Sequence, residues 1–194
     1  MVNDKKKVTV GKPKTTGAIF FAPKGTTAPT SCATDLGVAF ICLGYITEEG
    51  LSIGNETNAI KAWGGDEPIA TKKESFKFSA MQSLDPDVLS VVYGEDNVSI
   101  DDGTGEITVA SDANISQSGV WVYDTIMTGN RAKRIVVPDG TLSELGDITY
   151  KDEEAVVFPI TVKANPDING KCHYEYLAGE TEESGETESG ESEE

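Results

Sequence analysis

One imidazole occurs in the 194 residues, His173, and it directly follows Cys172, one of three cysteines. An imidazole beside a thiol suggests either a pair of zinc ligands or an activated nucleophile, and both chemistries require the two side chains to converge. Residues 171–177 alternate instead. Cys172, Tyr174 and Tyr176 fall on one side, and Lys171, His173 and Glu175 on the other. A period of two is a strand, which points the thiol and the imidazole to opposite faces. His173 is therefore expected as a surface side chain. Cys32 and Cys42 complete no zinc-type spacing, and three irregularly spaced thiols build no disulfide framework, so free thiols are expected. The run Asp101-Asp102-Gly103-Thr104-Gly105-Glu106 carries the acids and glycines of a calcium loop without its twelve-residue ligand spacing, and it reads as a hairpin turn. No glycine-rich phosphate loop precedes a helix. No catalytic, cofactor-binding or metal-binding residue is assigned, no cofactor is expected, and the chain is not read as an enzyme.

Charge narrows the function classes further. The formal net charge is −17. Residues 179–194 hold eight Glu and no base, while residues 1–14 hold five Lys and one Asp. Removing that −8 and that +4 leaves −13 on residues 15–178. An acidic body is poorly suited to holding DNA or an anionic membrane. No run of about 18 apolar residues is present to span a membrane. The charged N-terminus is not followed by an apolar signal-peptide core, so a chain retained in a cytoplasm, or exported by another route, is expected.

The elements that would position any site are mostly short strands. In residues 75–81, Phe76, Phe78 and Ala80 alternate with Ser75, Lys77 and Ser79. Helix signals then converge: Asp85 as N-cap, Pro86 at the first position, Asp87 in the first turn and Gly94 at the stop. Leu84 and Leu89 have the spacing of a hydrophobic staple, and Val88, Leu89 and Val92 make the apolar stripe. So short a helix is marginal in water and must lie on a sheet. Further strands are expected at 17–22, 39–46, 97–101, 106–110, 119–127, 132–137, 155–163 and 171–177, with a short one at 148–151. The turn Pro138-Asp139-Gly140 is expected to end the 132–137 strand, with a helical turn at 142–145. Pro159 suggests an edge strand or a bulge. Residues 119–127 are apolar on both faces: Val120, Val122 and Ile126 on one, Trp121, Tyr123 and Met127 on the other. That strand is either central or covered by a partner.

Residues 54–69 fit no core strand. Ile60-Lys61-Ala62-Trp63-Gly64-Gly65-Asp66 places an indole beside two glycines that free the backbone. This reads as a long projecting loop or loose hairpin near 46–71, of the kind that is usually functional. The fold class is mainly β: two packed antiparallel sheets, a sandwich or barrel, with one short flanking α-helix. Three regions follow: a flexible basic arm at 1–14, a β domain at 15–178, and a disordered acidic tail at 179–194 that lacks apolar groups to order it.

At Thr15-Thr16-Gly17-Ala18-Ile19, and again at Ile60-Lys61-Ala62-Trp63-Gly64-Gly65-Asp66, the chain resembles the major tail proteins, or tail tube proteins, of long-tailed bacteriophages. The order of elements is also similar, over about residues 8–177. The acidic tail departs from the family pattern. The resemblance implies a structural virion protein of two packed sheets, assembled in the host cytoplasm into stacked hexameric rings. These form the hollow tube through which DNA leaves the capsid. It implies partners in copies of itself and in other tail proteins (terminator, baseplate or tip, tape measure), with no specific nucleic-acid binding and no membrane. It also implies ring-to-ring contacts from the arm at 1–14 and the loop at 46–71, so that Ile60, Lys61, Ala62, Trp63, Gly64, Gly65 and Asp66 would lie between subunits. Trp121, Tyr123 and Met127 would then belong to a strand covered by a neighbour. The competing reading is an Ig-like surface-displayed adhesion domain, which the many short strands allow and the missing signal peptide and free cysteines oppose.

Overall fold

The computed structural model describes residues 8–14, 17–60, 69–113 and 117–179. The elements in order are β1 (Gly11–Pro13), β2 (Ile19–Pro23), β3 (Ile41–Cys42), β4 (Ser52–Ile60), β5 (Ile69–Ala80), α1 (Pro86–Tyr93), β6 (Val98–Ile100), β7 (Ile107–Val109), β8 (Ser118–Met127), β9 (Arg131–Leu145), β10 (Phe158–Ala164) and β11 (Tyr174–Leu177). The fold is mainly β with one flanking helix, as expected. Nine strands form one antiparallel sheet, ordered β3-β2-β8-β9-β10-β5-β4, with β1 added to β8 and β11 to β9; β6 and β7 form a small second sheet.

In that order β8 and β5 stand three places apart, which in a flat sheet would be about 14 Å. Yet Phe76 of β5 stacks on Tyr123 of β8 with ring centroids 5.2 Å apart, and Phe78 lies 6.1 Å from Trp121. The large sheet therefore folds back on itself, and its two halves are the two packed layers. An isolated bridge between Ile46 and Ala80 joins the halves at the β3 end. Continuous pairing does not follow from it, and the roll is not a closed barrel.

The fold-back is carried by β9. Its length from Arg131 to Thr141 pairs with β8, and from Gly140 to Leu145 with β10. Register slips on β8 between Gly119 and Trp121, and on β10 between Thr161 and Val162. Pro138, Asp139 and Gly140 sit where the two pairings overlap. The expected turn there, and the helical turn after it, are replaced by one 15-residue strand. The residues that suit a turn also suit a bend inside a strand, because proline withholds a ladder N–H and glycine permits close approach. Trp121 uses that approach. Its Nε1 donates to the Gly140 carbonyl at 3.3 Å, and a Cβ on Gly140 would lie 2.5 Å from Trp121 Cδ1 and 2.9 Å from Val162 Cγ1.

Both faces of β8 are buried by the chain itself, so the strand is central. Trp121 and Tyr123 lie in the core between the layers. Val120 and Val122 lie on the other face with Val136, beneath Ala28, Leu36 and Phe40 of the connection between β2 and β3. Arg134 holds that connection down. It makes two 2.7 Å bonds to Asp124, its cross-strand neighbour, and donates to the carbonyls of Ser31 and Thr34.

Helix α1 follows its local signals. The Asp85 carboxylate accepts from Asp87 N, Gly94 N bonds back to Ser90 O, and Val88, Leu89, Val91 and Val92 are buried. The staple does not form, since Leu84 is 84% exposed and so has little surface to give Leu89. The strand expected at 39–46 is reduced to β3 and the Ile46 bridge, and 148–151 is not a strand. Pro159 belongs to an interior strand, paired with β5 on one side and next to β9 on the other; a bulge does lie two residues on. The Asp101 carboxylate accepts from Gly103 N, Thr104 N and Thr104 Oγ1, which closes the β6–β7 turn as expected of a hairpin.

Gly140→Ala is predicted to destabilise the protein by about 1–3 kcal/mol, because the added methyl must displace the indole or Val162. Chemical denaturation of the two proteins measures it; an unchanged midpoint would mean that Trp121 does not rest on the bend.

Candidate functional site: the projecting hairpin

The pairing of β4 with β5 runs from Ser52–Lys77 to Ile60–Ile69. On its other side β5 is accompanied by β10 only as far as Glu74, opposite Ala164. Beyond Glu74, residues 56–60 and 69–73 pair only with each other among the described residues. Five pairs extend about 17 Å past the end of β10. The stretch expected as a loop or loose hairpin is thus a regular hairpin for most of its length. Its tip holds Lys61, Ala62, Trp63, Gly64, Gly65 and Asp66, which lie outside the described residues, while Ile60 ends β4.

The N-terminal segment leaves from the same end of the sheet. Gly11, Lys12 and Pro13 pair with Met127, Ile126 and Thr125, and Thr128 N donates to Val10 O. The arm expected to be free through Lys14 is therefore docked on β8 from Val10 onward. Met127 is half-buried there, its sulfur 3.1 Å from where a Cβ on Gly11 would stand.

At the root of the hairpin sits a polar chain. Glu74 is 4% exposed and occupies the same inward face of β5 as Phe76 and Phe78. Its carboxylate bonds Lys72 Nζ and His173 Nδ1. His173 packs edge-on against Phe76, with centroids 5.6 Å apart, and its Nε2 lies 3.9 Å from Glu175 Oε1. Glu175 in turn pairs with Lys133 at 2.9 Å. Burial pushes the Glu74 carboxyl up. The hydrogen bonds from Lys72 and His173, with the favourable electrostatics of the same two neighbours, outweigh that and hold it below the usual carboxylate range. The expected surface histidine is instead a wedge between β5 and the approach to β11. Strand alternation misplaced it because β11 begins only at Tyr174. The three thiols are free and half-buried, and Cys32 Sγ donates to Tyr176 O at 2.8 Å. Among the described residues no group of His, Cys, Asp and Glu is arranged to hold a metal ion.

The sequence matches the family described as phage tail tube protein over residues 1–186. The chain belongs to the phage tail tube protein family. No curated protein matches it. Membership gives this tail tube protein a structural role in the tube, a place in the virion tail, and self-association and contact with other tail components in general. No helix among the described residues is long and apolar enough to cross a membrane.

In this tail tube protein the hairpin extends beyond its last sheet neighbour, and the N-terminal segment docks on β8 at the same end. Trp121 and Tyr123 are core residues of the subunit. Glu74 is legible in the sequence only as one further step of two from Phe76, which places a carboxylate on the inward face of an otherwise apolar alternation.

Glu74→Gln is predicted to cost about 1–3 kcal/mol at pH 7, the scale of hydrogen bonds to a charged group. Because the folded-state pKa of Glu74 is lowered, its contribution is complete above the ordinary carboxylate value of about 4.3 and is lost as pH falls below it. The gap between wild type and variant should therefore shrink below about pH 4 in thermal unfolding across pH. A gap independent of pH would refute the charged role.

Proposed function

We propose that the protein assembles into stacked, hexameric rings forming the hollow phage tail tube through which DNA is ejected, and that the hairpin makes the contact between rings. The observation that supports this reading is the hairpin itself. A two-stranded ribbon gains little from standing alone in water, and here it extends past its last sheet neighbour with Trp63 in its tip. Burying an indole is worth a few kcal/mol at about 25 cal/mol per Å². The flanking Gly64 and Gly65 leave the backbone free to seat it on another subunit. We take Ile60, Lys61, Ala62, Trp63, Gly64, Gly65 and Asp66 as the inter-subunit segment, with Trp63 as its anchor. Assembly would occur in the host cytoplasm, and the ends of the tube would meet terminator, tip and tape-measure proteins. The −13 of residues 15–178 suits a channel along which DNA slides without being held.

Trp63→Ala is predicted to leave the fold intact by circular dichroism and to abolish tubes by electron microscopy. Normal tubes from a folded variant would remove the anchor, and an unfolded variant would make Trp63 a core residue. Duplex DNA is predicted not to bind the purified protein even at low salt. Binding that weakens steeply with added salt, the mark of counterion release, would contradict the sliding channel.

A further inference from the structure

His173 is the only histidine of the chain, and each of its ring nitrogens faces a carboxylate. Nδ1 bonds Glu74 of β5, and Nε2 lies 3.9 Å from Oε1 of Glu175 in β11. The other charged groups of the cluster are Lys72, bonded to Glu74, and Lys133 of β9, bonded to Glu175. The neighbouring Cys172 thiol is pushed up by burial and by the Glu74 charge, so it stays protonated near neutrality. Phe76 meets the imidazole edge-on.

A neutral imidazole has one N–H and one lone pair, whereas an imidazolium has two N–H donors. Two carboxylates on opposite nitrogens are matched in full by the imidazolium alone. When one proton leaves, it leaves from Nε2. Glu74 is 4% exposed, and a buried carboxylate that loses its donor costs more than the same loss at the rim. Glu175, with its side chain 36% exposed, keeps Lys133 as a partner.

The cluster joins elements that share no backbone pairing. β11 pairs with β9, and β5 pairs with β10 and β4. Glu74 stands opposite Ala164, the last β10 residue beside β5, so the hairpin leaves the sheet at this carboxylate. A tie from Glu74 through the imidazole to Glu175 therefore acts at the root on which the hairpin turns.

We infer that His173 is a proton-operated latch at this root. Doubly protonated, it ties β5 to β11 and holds the hairpin to the body. Once the Nε2 proton is lost, the tie to Glu175 is gone, the Glu74 bond remains, and the hairpin opens more readily. Imidazoles ordinarily change charge between about pH 5 and 8, so the latch is closed at the acid end of that interval and open at the alkaline end. Its consequence for assembly rests on the role proposed above for the hairpin; the latch itself is a property of one subunit.

Heteronuclear NMR of dispersed full-length subunits tests it, because a single histidine gives unambiguous ring signals. Both ring nitrogens should be protonated at about pH 5, and only Nδ1 at about pH 9, past the usual interval. Over the same range the hydrogen-exchange protection of the amides at 56–60 and 69–73, corrected for the intrinsic pH dependence of exchange, should fall about threefold, the scale of a part-exposed ion pair. Glu175→Gln keeps the imidazole, removes its second carboxylate and should abolish that fall. His173→Gln keeps a donor for Glu74 without a titrating group and should abolish it as well; circular dichroism checks each fold. If the imidazole titrates while wild-type protection stays level, if the fall persists in either folded variant, or if Nε2 and not Nδ1 keeps the last proton, the inference is overturned. The protection step in a subunit that never forms tubes leaves the latch standing and removes the tube reading; tubes from a wild type without the step remove the latch alone.

Discussion

Trp121 resting on Gly140 is the contact on which the two-layer arrangement depends. It joins the middle of β8 to the point where β9 leaves one half of the sheet for the other. Any side chain at 140 would enter the space of the indole or of Val162. With that approach in place, β10 and β5 return over β8, and Phe76 and Phe78 close on Tyr123 and Trp121. The apolar face of α1 then covers the flank of the same core. On the outer face of β8 a different device is used. A buried Asp124–Arg134 pair spends its remaining donors on two loop carbonyls, and thereby clamps a segment that has no strand pairing of its own.

With the layers built this way, the subunit is polar along its strands. Hairpin and N-terminal segment leave at one end, where β8 finishes and β9 begins; the helix, the small sheet and an open cleft lined by Leu84, Tyr150 and Phe158 occupy the other. A subunit whose two ends differ in this way is suited to heterologous contacts, which extend into rings or filaments instead of stopping at a pair. Among the described residues no strand pairs with the outer edge of β4, and an open ladder of donors and acceptors favours further pairing. The polar chain at the hairpin root ties the hairpin to the approach to β11 through Glu74 and His173, so the direction of the hairpin is set by the body and not by its own pairing alone.

Local chemistry made some of this legible in the sequence, and long-range contacts hid the rest. Asp85, Pro86 and Gly94 state the helix within ten residues, and the structure follows them. The alternation at Phe76, Phe78 and Ala80 is a property of one strand and is also found as read. Pro138-Asp139-Gly140 reads as a turn because the same residues serve a bend, and only the indole from β8, distant in sequence, decides between them. Leu84 was expected to staple Leu89, a pairing that spacing permits and that the exposed position of Leu84 does not use. His173 and Glu74 meet across 99 residues, which no local pattern records. The hairpin is half legible: the stretch around 54–69 stands apart from the core strands in the sequence, but the regular pairing from Ser52 to Ile60 is obscured by Gly54, Asn55 and Asn58, poor strand formers that here pair along β5.

The central claim is that this subunit builds a tube from copies of itself. Electron microscopy of the purified full-length protein, over a concentration series followed in parallel by light scattering, tests it most directly. The account predicts hollow tubes of stacked rings that appear as concentration rises. A strictly monomeric species throughout, with no tubes on the grid, would contradict it.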